Sequence, residues 1–196
     1  MTGTPGSRRN VDAPAARRDA PVRAIFLVGF MGAGKTSVGR ALSRKLGWRF
    51  EDLDDRIQAR EGRTIPEIFE QSGEAEFRRS EVAALDELLA ELESGPMIAA
   101  LGGGAFVQEQ VASLLATAGS TTVFLDAPAE ELWRRCAHDV IDRPLQRKQE
   151  EFRQLYETRR PRYLRAQMRV ETEGREIEHI VESIVSGLGL NSSEEK

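Results

Sequence analysis

The sequence predicts an α/β domain of the P-loop NTPase type, a three-layer sandwich with a five-stranded parallel sheet between two helical layers. Three observations predict it. Beyond residue 20, short apolar runs alternate with longer amphipathic ones, the pattern of strands that are each followed by a covering helix. The segment Gly29-Phe30-Met31-Gly32-Ala33-Gly34-Lys35-Thr36 fits G-x-x-x-x-G-K-[ST] and lies between an apolar run and a helix-like stretch, the context in which that pattern cradles phosphate. The chain has 196 residues, 40% of them apolar and 31% charged, which suits one soluble domain with a substantial core.

Residues 1 to about 20 are rich in Pro, Ala, Gly and Arg and offer no large apolar side chain beyond Val11, so a disordered tail is expected. Asp12, Asp19 and the shortage of serine argue against an organellar transit peptide. The domain is expected over 21–190, and 191–196 reads as a solvated end. Within it, strands are predicted at Ala24 to Val28, Trp48 to Asp52, Met97 to Leu101, Thr121 to Leu125 and, more weakly, Met168 to Glu171, each bounded by Gly, Pro or charge. A helix is predicted over Lys35 to Leu46. A longer one is predicted from about Gly73 to Leu92, with Phe77, Val82, Leu85, Leu88, Leu89 and Leu92 at helical spacing and Ser72 as its cap. Ligands of such sheets bind beyond the carboxyl ends of the strands, so residues just after each strand are the first candidates for function.

Those residues are unusual here. After the first strand, the amides near Gly32 and Gly34 and the positive end of the following helix face one anion, Lys35 reaches the β- and γ-phosphates, and the Thr36 hydroxyl suits a magnesium ion. The second strand ends in Asp52-Leu53-Asp54, where a period of two places both carboxylates on one side. One then serves near a metal shell and the other beside an acceptor hydroxyl, a division suited to phosphoryl transfer. The third strand runs into Gly102-Gly103-Gly104, which permits positive φ and close backbone approach to a ligand. On the long helix Arg78 and Glu81 are three apart, so the acid can orient the guanidinium toward a carboxylate.

A net charge of −4 gives no reason to expect a nucleic acid or an anionic membrane surface as partner, and no run is long enough to span a bilayer. Small-molecule partners, a cytoplasmic location and a monomer are expected. Cys136 is the single cysteine, which excludes an internal disulfide and a cysteine-rich zinc site.

Taken together, the P-loop, Asp52-Leu53-Asp54, the Gly73 to Arg79 segment with Glu81, Leu101 to Gly104, Arg143-Pro144-Leu145 and Arg159 to Tyr163 resemble the shikimate kinase family over nearly residues 23 to 190. The resemblance implies a fold like the nucleoside monophosphate kinases with sheet order 2-3-1-4-5, and transfer of the γ-phosphate of ATP to the 3-hydroxyl of shikimate. It implies ATP contacts from Gly32, Ala33, Gly34, Lys35, Thr36, Ser37 and Arg143. Arg143 would ride on a lid at about 138–148. Shikimate would be held by Asp54, Arg78, Gly102, Gly103, Gly104 and Arg159, with Lys35, Asp54 and Arg143 as the catalytic set. The cofactor would be Mg2+, on Thr36 and, through water, Asp52. Adenine would lie against the segment around Arg134 and Arg135 and the loop preceding the last helix, in a register left open, and Arg160 stands beside Arg159 as a second candidate, since adjacent helical residues point about 100° apart. Two other readings are a kinase for another small polyol acid such as gluconate, and an ATP-binding relative without catalysis.

Overall fold

The computed structural model describes residues 21–136 and 145–190. Strands β1 (Ala24–Val28), β2 (Arg49–Asp52), β3 (Met97–Ala100), β4 (Thr121–Asp126) and β5 (Met168–Glu171) form one parallel sheet in the order β2-β3-β1-β4-β5, the order implied by the family resemblance. All five residues of central β1, Ala-Ile-Phe-Leu-Val, are buried, as a strand covered on both faces must be. Helices α1 (Lys35–Leu46), α2 (Leu53–Glu61), α3 (Ile65–Ala90), α4 (Glu109–Thr117), α5 (Ala129–Cys136), α6 (Leu145–Tyr163) and α7 (Ile177–Gly187) cover it. No helix among the described residues is long and apolar enough to cross a membrane.

β1 and β5 have the predicted bounds, β2, β3 and β4 each differ by a residue at one end, and one helix differs by more. The long helix begins eight residues before Gly73, because Thr64 and Glu67 form a capping box: the Thr64 amide donates to Glu67 Oε2 (2.7 Å) and the Glu67 amide to Thr64 Oγ1 (3.4 Å). Gly73, with non-helical φ 77° and ψ 174° that a residue with a Cβ would resist, joins two helical stretches at a kink: the second starts about where the sequence predicts, and the unexpected part is the first, 65–72. Thr64 is the cap of the first stretch, and the Ser72 hydroxyl, just before the kink, accepts a bond from Arg63 Nη1 at 3.0 Å. Leu92 falls in a 3-10 turn (Glu91–Ser94) beyond the helix. Residues 138–144 of the expected lid, with Arg143, lie outside the described residues, and 145–148 form the first turn of α6.

The core is continuous across both faces, from Val38, Leu42 and Ile184 on one side of β1 to Leu85, Leu88 and Tyr163 on the other. Each such buried side chain contributes about 1.5–3 kcal/mol relative to exposure, which makes the sheet a rigid base for the loops at its carboxyl end.

Candidate active site

The site starts at the turn from β1 to α1. Gly29, Gly32 and Gly34 have φ of 145°, 78° and 85°, values that only glycine adopts freely. Space is equally limiting, since a Cβ on Gly29 would lie 2.8 Å from the Leu125 carbonyl oxygen, and one on Gly32 would lie 2.8 Å from Cys136 Sγ. Helix α1 has no side-chain cap and no acid in its first turn, so its leading amides and positive dipole end are left for an external anion. Gly32, Gly34, Lys35, Thr36 and Ser37 line a cleft of about 320 Å³ together with Asp52, Asp54 and Gly103.

The Lys35 ammonium is folded back on its own loop, donating to the Gly29 and Phe30 carbonyls, both at 3.0 Å. Loss of solvent pushes it down to about 8, against the opposing pull of Asp54 and Asp52. Thr36 Oγ1 donates to Asp52 Oδ2 at 2.7 Å, while Asp52 Oδ1 accepts the Asp54 amide at 3.1 Å and so caps α2. A hydroxyl and a carboxylate oxygen, adjacent and facing a phosphate site, are hard oxygen donors of the kind a magnesium ion takes alongside phosphate and water.

Asp54 shares the cleft with Asp52, although not by the strand alternation expected from sequence. The chain turns into α2 at Leu53, which is fully buried, and Asp54 points inward from the first helical turn. Burial, then the Asp52 and Glu81 charges, push its carboxyl up to about 6.

Gly102, Gly103 and Gly104 have no positive φ, so the expectation of unusual backbone angles is wrong for them. They are small because three partners approach. A Cβ on Gly102 would lie 2.7 Å from Asp54 Oδ1 and 3.2 Å from Glu81 Oε1, one on Gly103 3.4 Å from the Met31 amide nitrogen, and one on Gly104 2.7 Å from Arg78 Nη2. The strip thus lies between an acid, the phosphate loop and a guanidinium. Arg78 Nη1 donates to Glu81 Oε2 at 2.8 Å, the pairing expected from their spacing, and Gln108 Nε2 donates to the same oxygen at 2.5 Å. Glu81 Oε1 is buried with no hydrogen-bond partner among the described residues, and burial pushes the Glu81 carboxyl upward despite the Arg78 hydrogen bond.

Helix α6 completes the ring. Arg159 Nη1 reaches the Gly103 carbonyl at 3.5 Å, and its guanidinium carbon stands 5.8 Å from the centroid of the Phe30 ring, in the phosphate loop. Arg160 points elsewhere, donating to Asp126 Oδ2 at 2.7 Å, so Arg159 is the arginine that faces the glycine strip. Lys35, Asp54 and Gly103 therefore line one cleft, and Arg78 and Arg159 meet the glycine strip at Gly104 and Gly103, whereas Arg143 lies outside the described residues.

The shikimate kinase family model matches residues 31–188. The chain belongs to the shikimate kinase family. A shikimate kinase of Aquifex aeolicus is 40% identical over 169 residues, which cover 86% of this chain and 97% of that protein. The structure of a shikimate kinase from Acinetobacter baumannii in complex with shikimate superposes with TM-score 0.76 at 35% identity, covering 85% of this chain and 93% of the other. A gluconokinase from Sinorhizobium meliloti shares the fold at TM-score 0.58 and 21% identity, covering 87% of this chain and 94% of that one.

Against the family's motifs, three supporting residues went unrecognised in the sequence. Phe30 occupies a free position of the phosphate-loop pattern, yet it is fully buried and packs edge-on against Phe152 and Tyr156 of α6, at 4.9 and 5.6 Å between centroids. Tyr163, also fully buried, donates its hydroxyl to the Gly103 carbonyl, and its place one helical turn after Arg159 was the available signal. Gln108 has no local signal at all, because its role depends on Glu81 arriving from another element. Arg135, one of the two arginines expected near adenine, donates to the Thr172 carbonyl at 2.9 Å and to the Gly32 carbonyl at 3.4 Å, and so ties the phosphate loop to the turn after β5. Arg134 is exposed and pairs with Glu131 at 2.6 Å.

Proposed function

We propose that this shikimate kinase transfers the γ-phosphoryl group of ATP to the 3-hydroxyl of shikimate, giving shikimate 3-phosphate and ADP. The observation that carries the reading in detail is the glycine strip, which has Asp54 at Gly102, the phosphate loop at Gly103 and Arg78 at Gly104. A small acid lying on that strip meets a base at one end, guanidinium groups at the other, and the phosphate cleft alongside.

Arg78 and Arg159 are suited to a carboxylate, and Arg78 is held in aim by Glu81. Asp54, half ionised at about pH 6, is mostly a carboxylate at neutral pH and accepts a hydrogen bond from the attacking hydroxyl, whose proton it takes as the oxygen bonds to phosphorus. The bond between the γ-phosphorus and the bridging oxygen breaks as ADP leaves. Lys35 exchanges its two loop carbonyls for phosphate oxygens and balances charge on the transferred group. A magnesium ion bound with ATP would take the Thr36 hydroxyl, with Asp52 holding one of its waters, and would neutralise phosphate charge. Arg143 would supply a further cation to the phosphates.

The test is release of ADP by the purified protein with ATP, magnesium and shikimate, against a panel of acceptors that includes gluconate. Turnover with shikimate far above a folded Lys35→Ala control supports the reading. Turnover with gluconate alone would reassign the acceptor, and ATP binding with no turnover on any acceptor would make the protein a non-catalytic relative.

A further inference from the structure

Two adjacent arginines, Arg159 and Arg160, stand on the inner side of α6, and chemistry alone does not distinguish them. Helix α6 buries Phe152, Tyr156 and Tyr163, a stripe at helical spacing whose intervening turn is occupied by this pair, both half-buried. An apolar stripe resists rotation weakly, and Pro161 removes the amide that would have bonded to the residue 157 carbonyl, so the backbone is least constrained at the arginines.

The side chain that breaks this equivalence is Asp126, the last residue of β4. It is 4% exposed, and three donors surround it: Tyr156 Oη at 2.9 Å from Oδ1, and Arg160 Nη2 and Arg169 Nε at 2.7 and 2.8 Å from Oδ2. Tyr156 and Arg160 are one turn apart on α6 and linked to each other, since Arg160 Nε donates to the Tyr156 hydroxyl at 3.1 Å. A carboxylate on a rigid strand therefore grips one edge of α6 at two points, and a buried ionic contact tolerates misalignment far less than apolar packing does. With Arg160 drawn to that edge, the rotation of about 100° per residue carries Arg159 toward Phe30 and the Gly103 carbonyl. Asp126 and Arg160 line a separate cleft of about 260 Å³ with Arg169 and Glu171, and none of its lining residues borders the phosphate cleft.

We infer that Asp126 is a positioning residue for the acceptor: by capturing Arg160 and Tyr156 it sets the rotation of α6 that aims Arg159 at the substrate carboxylate. The inference rests on the reading of Arg159 as a carboxylate ligand.

The experiment measures KM for shikimate and for ATP in the full chain carrying Asp126→Asn, Arg159→Ala or both, with a thermal melt for each. Asp126→Asn is expected to raise the shikimate KM at least about tenfold while the ATP KM stays within about twofold, because a small misplacement of a binding group is costly only to the ligand it holds. In the Arg159→Ala background the same change should add nothing, since a residue acting through another has no effect once that other is gone. An unchanged shikimate KM, an equal rise in both KM values, or the same fold rise in the Arg159→Ala background would each overturn the inference. Should Asp126→Asn not fold, Tyr156→Phe keeps the ring and the acid and removes one of the two grips. A rise confined to the shikimate KM supports the inference, and no change rejects it. Arg159→Ala with an unaltered shikimate KM instead refutes the reading of Arg159, and the role of Asp126 falls with it. Arg159→Ala raising that KM while Asp126→Asn does not refutes the positioning role alone.

Discussion

On the phosphate side of the cleft, charged and polar groups from residues 29–37 are satisfied mainly by their own loop. Lys35 sits on the Gly29 and Phe30 carbonyls, and Thr36 reaches across only to Asp52. On the acceptor side, Asp54, Arg78, Glu81, Gly102 to Gly104 and Arg159 come from α2, α3, the turn after β3 and α6, and their charges are balanced against one another. That balance is incomplete, since Glu81 Oε1 has no partner among the described residues and burial, with Asp52, Glu81 and Asp55 nearby, raises Asp54 to about 6. The phosphate half is a preformed local receptor. The acceptor half is a cluster under electrostatic tension that, on the proposed reading, a bound polyol acid would relieve by presenting hydroxyl donors to the acids and a carboxylate to the arginines.

If the halves are that separate, Asp54→Asn should damage chemistry and spare the nucleotide. Turnover is expected to fall by about 10²–10⁴-fold, the range for losing a positioned base, with the ATP KM nearly unchanged. Steady-state kinetics against each substrate in turn check this, and an equal loss in ATP affinity would merge the two halves. A smaller effect is expected for Gly104→Ala. Its new methyl would fall 2.7 Å from Arg78 Nη2, and since that neighbour is the tip of a flexible chain the guanidinium moves and the fold stays. The shikimate KM should rise by roughly ten- to a hundredfold with an unchanged melting temperature. A lower melting temperature with unchanged KM would mean that the glycine serves folding alone.

The same contrast explains what the sequence discloses. Residues 29–36 are contiguous, so pattern and flanking elements identify the phosphate half, down to the start of α1 at Lys35. Asp54 shares the cleft with Asp52 for a reason the strand period does not give, because the cap made by Asp52 starts a helix there. Arg78 and Glu81 were legible as a pair because helical spacing is local, but Gln108, which completes the contact, comes from 27 residues away. The glycine strip was recognised as a close approach, yet what approaches each glycine depends on the β2-β3-β1 order, which brings α2 and the phosphate loop to either side of the β3 terminus. The missed amino-terminal part of α3 has the opposite cause. Its capping box is visible in Thr64 to Glu67, but the stretch it starts is short and ends at Gly73, whose non-helical backbone joins it to the predicted helix through a kink.

Titration should sharpen the comparison, because one group of each half ionises near neutrality. In the free enzyme Asp54 gains its charge as pH rises through about 6, and Lys35 loses its charge as pH rises through about 8. The plot of kcat/KM for shikimate against pH should therefore be bell-shaped between those values, with the acid limb absent in Asp54→Asn. A profile whose acid limb survives that substitution would transfer the base role to another group.

The smallest expected effect concerns stability and has the opposite sign to the first. Burial and neighbouring acids raise the Asp54 carboxyl from its ordinary 3.8 to about 6, so the folded state holds that proton more tightly than the unfolded chain does. Below about pH 4 the group is neutral in both states and costs nothing. As pH rises through 4 to 6 the unfolded chain releases the proton first, and the native state is progressively penalised for a charge it accommodates poorly. Asparagine keeps the shape without the charge, so Asp54→Asn should melt higher than the natural protein at pH 7.5, by about 2–4 °C for each kcal/mol relieved, and the gap should close on acidification toward pH 4. Calorimetry without nucleotide or metal checks this, since a bound cation would mask the repulsion. A variant that melts lower at neutral pH would show that Asp54 is held by compensating contacts, and the acceptor half would then be as well satisfied as the phosphate half.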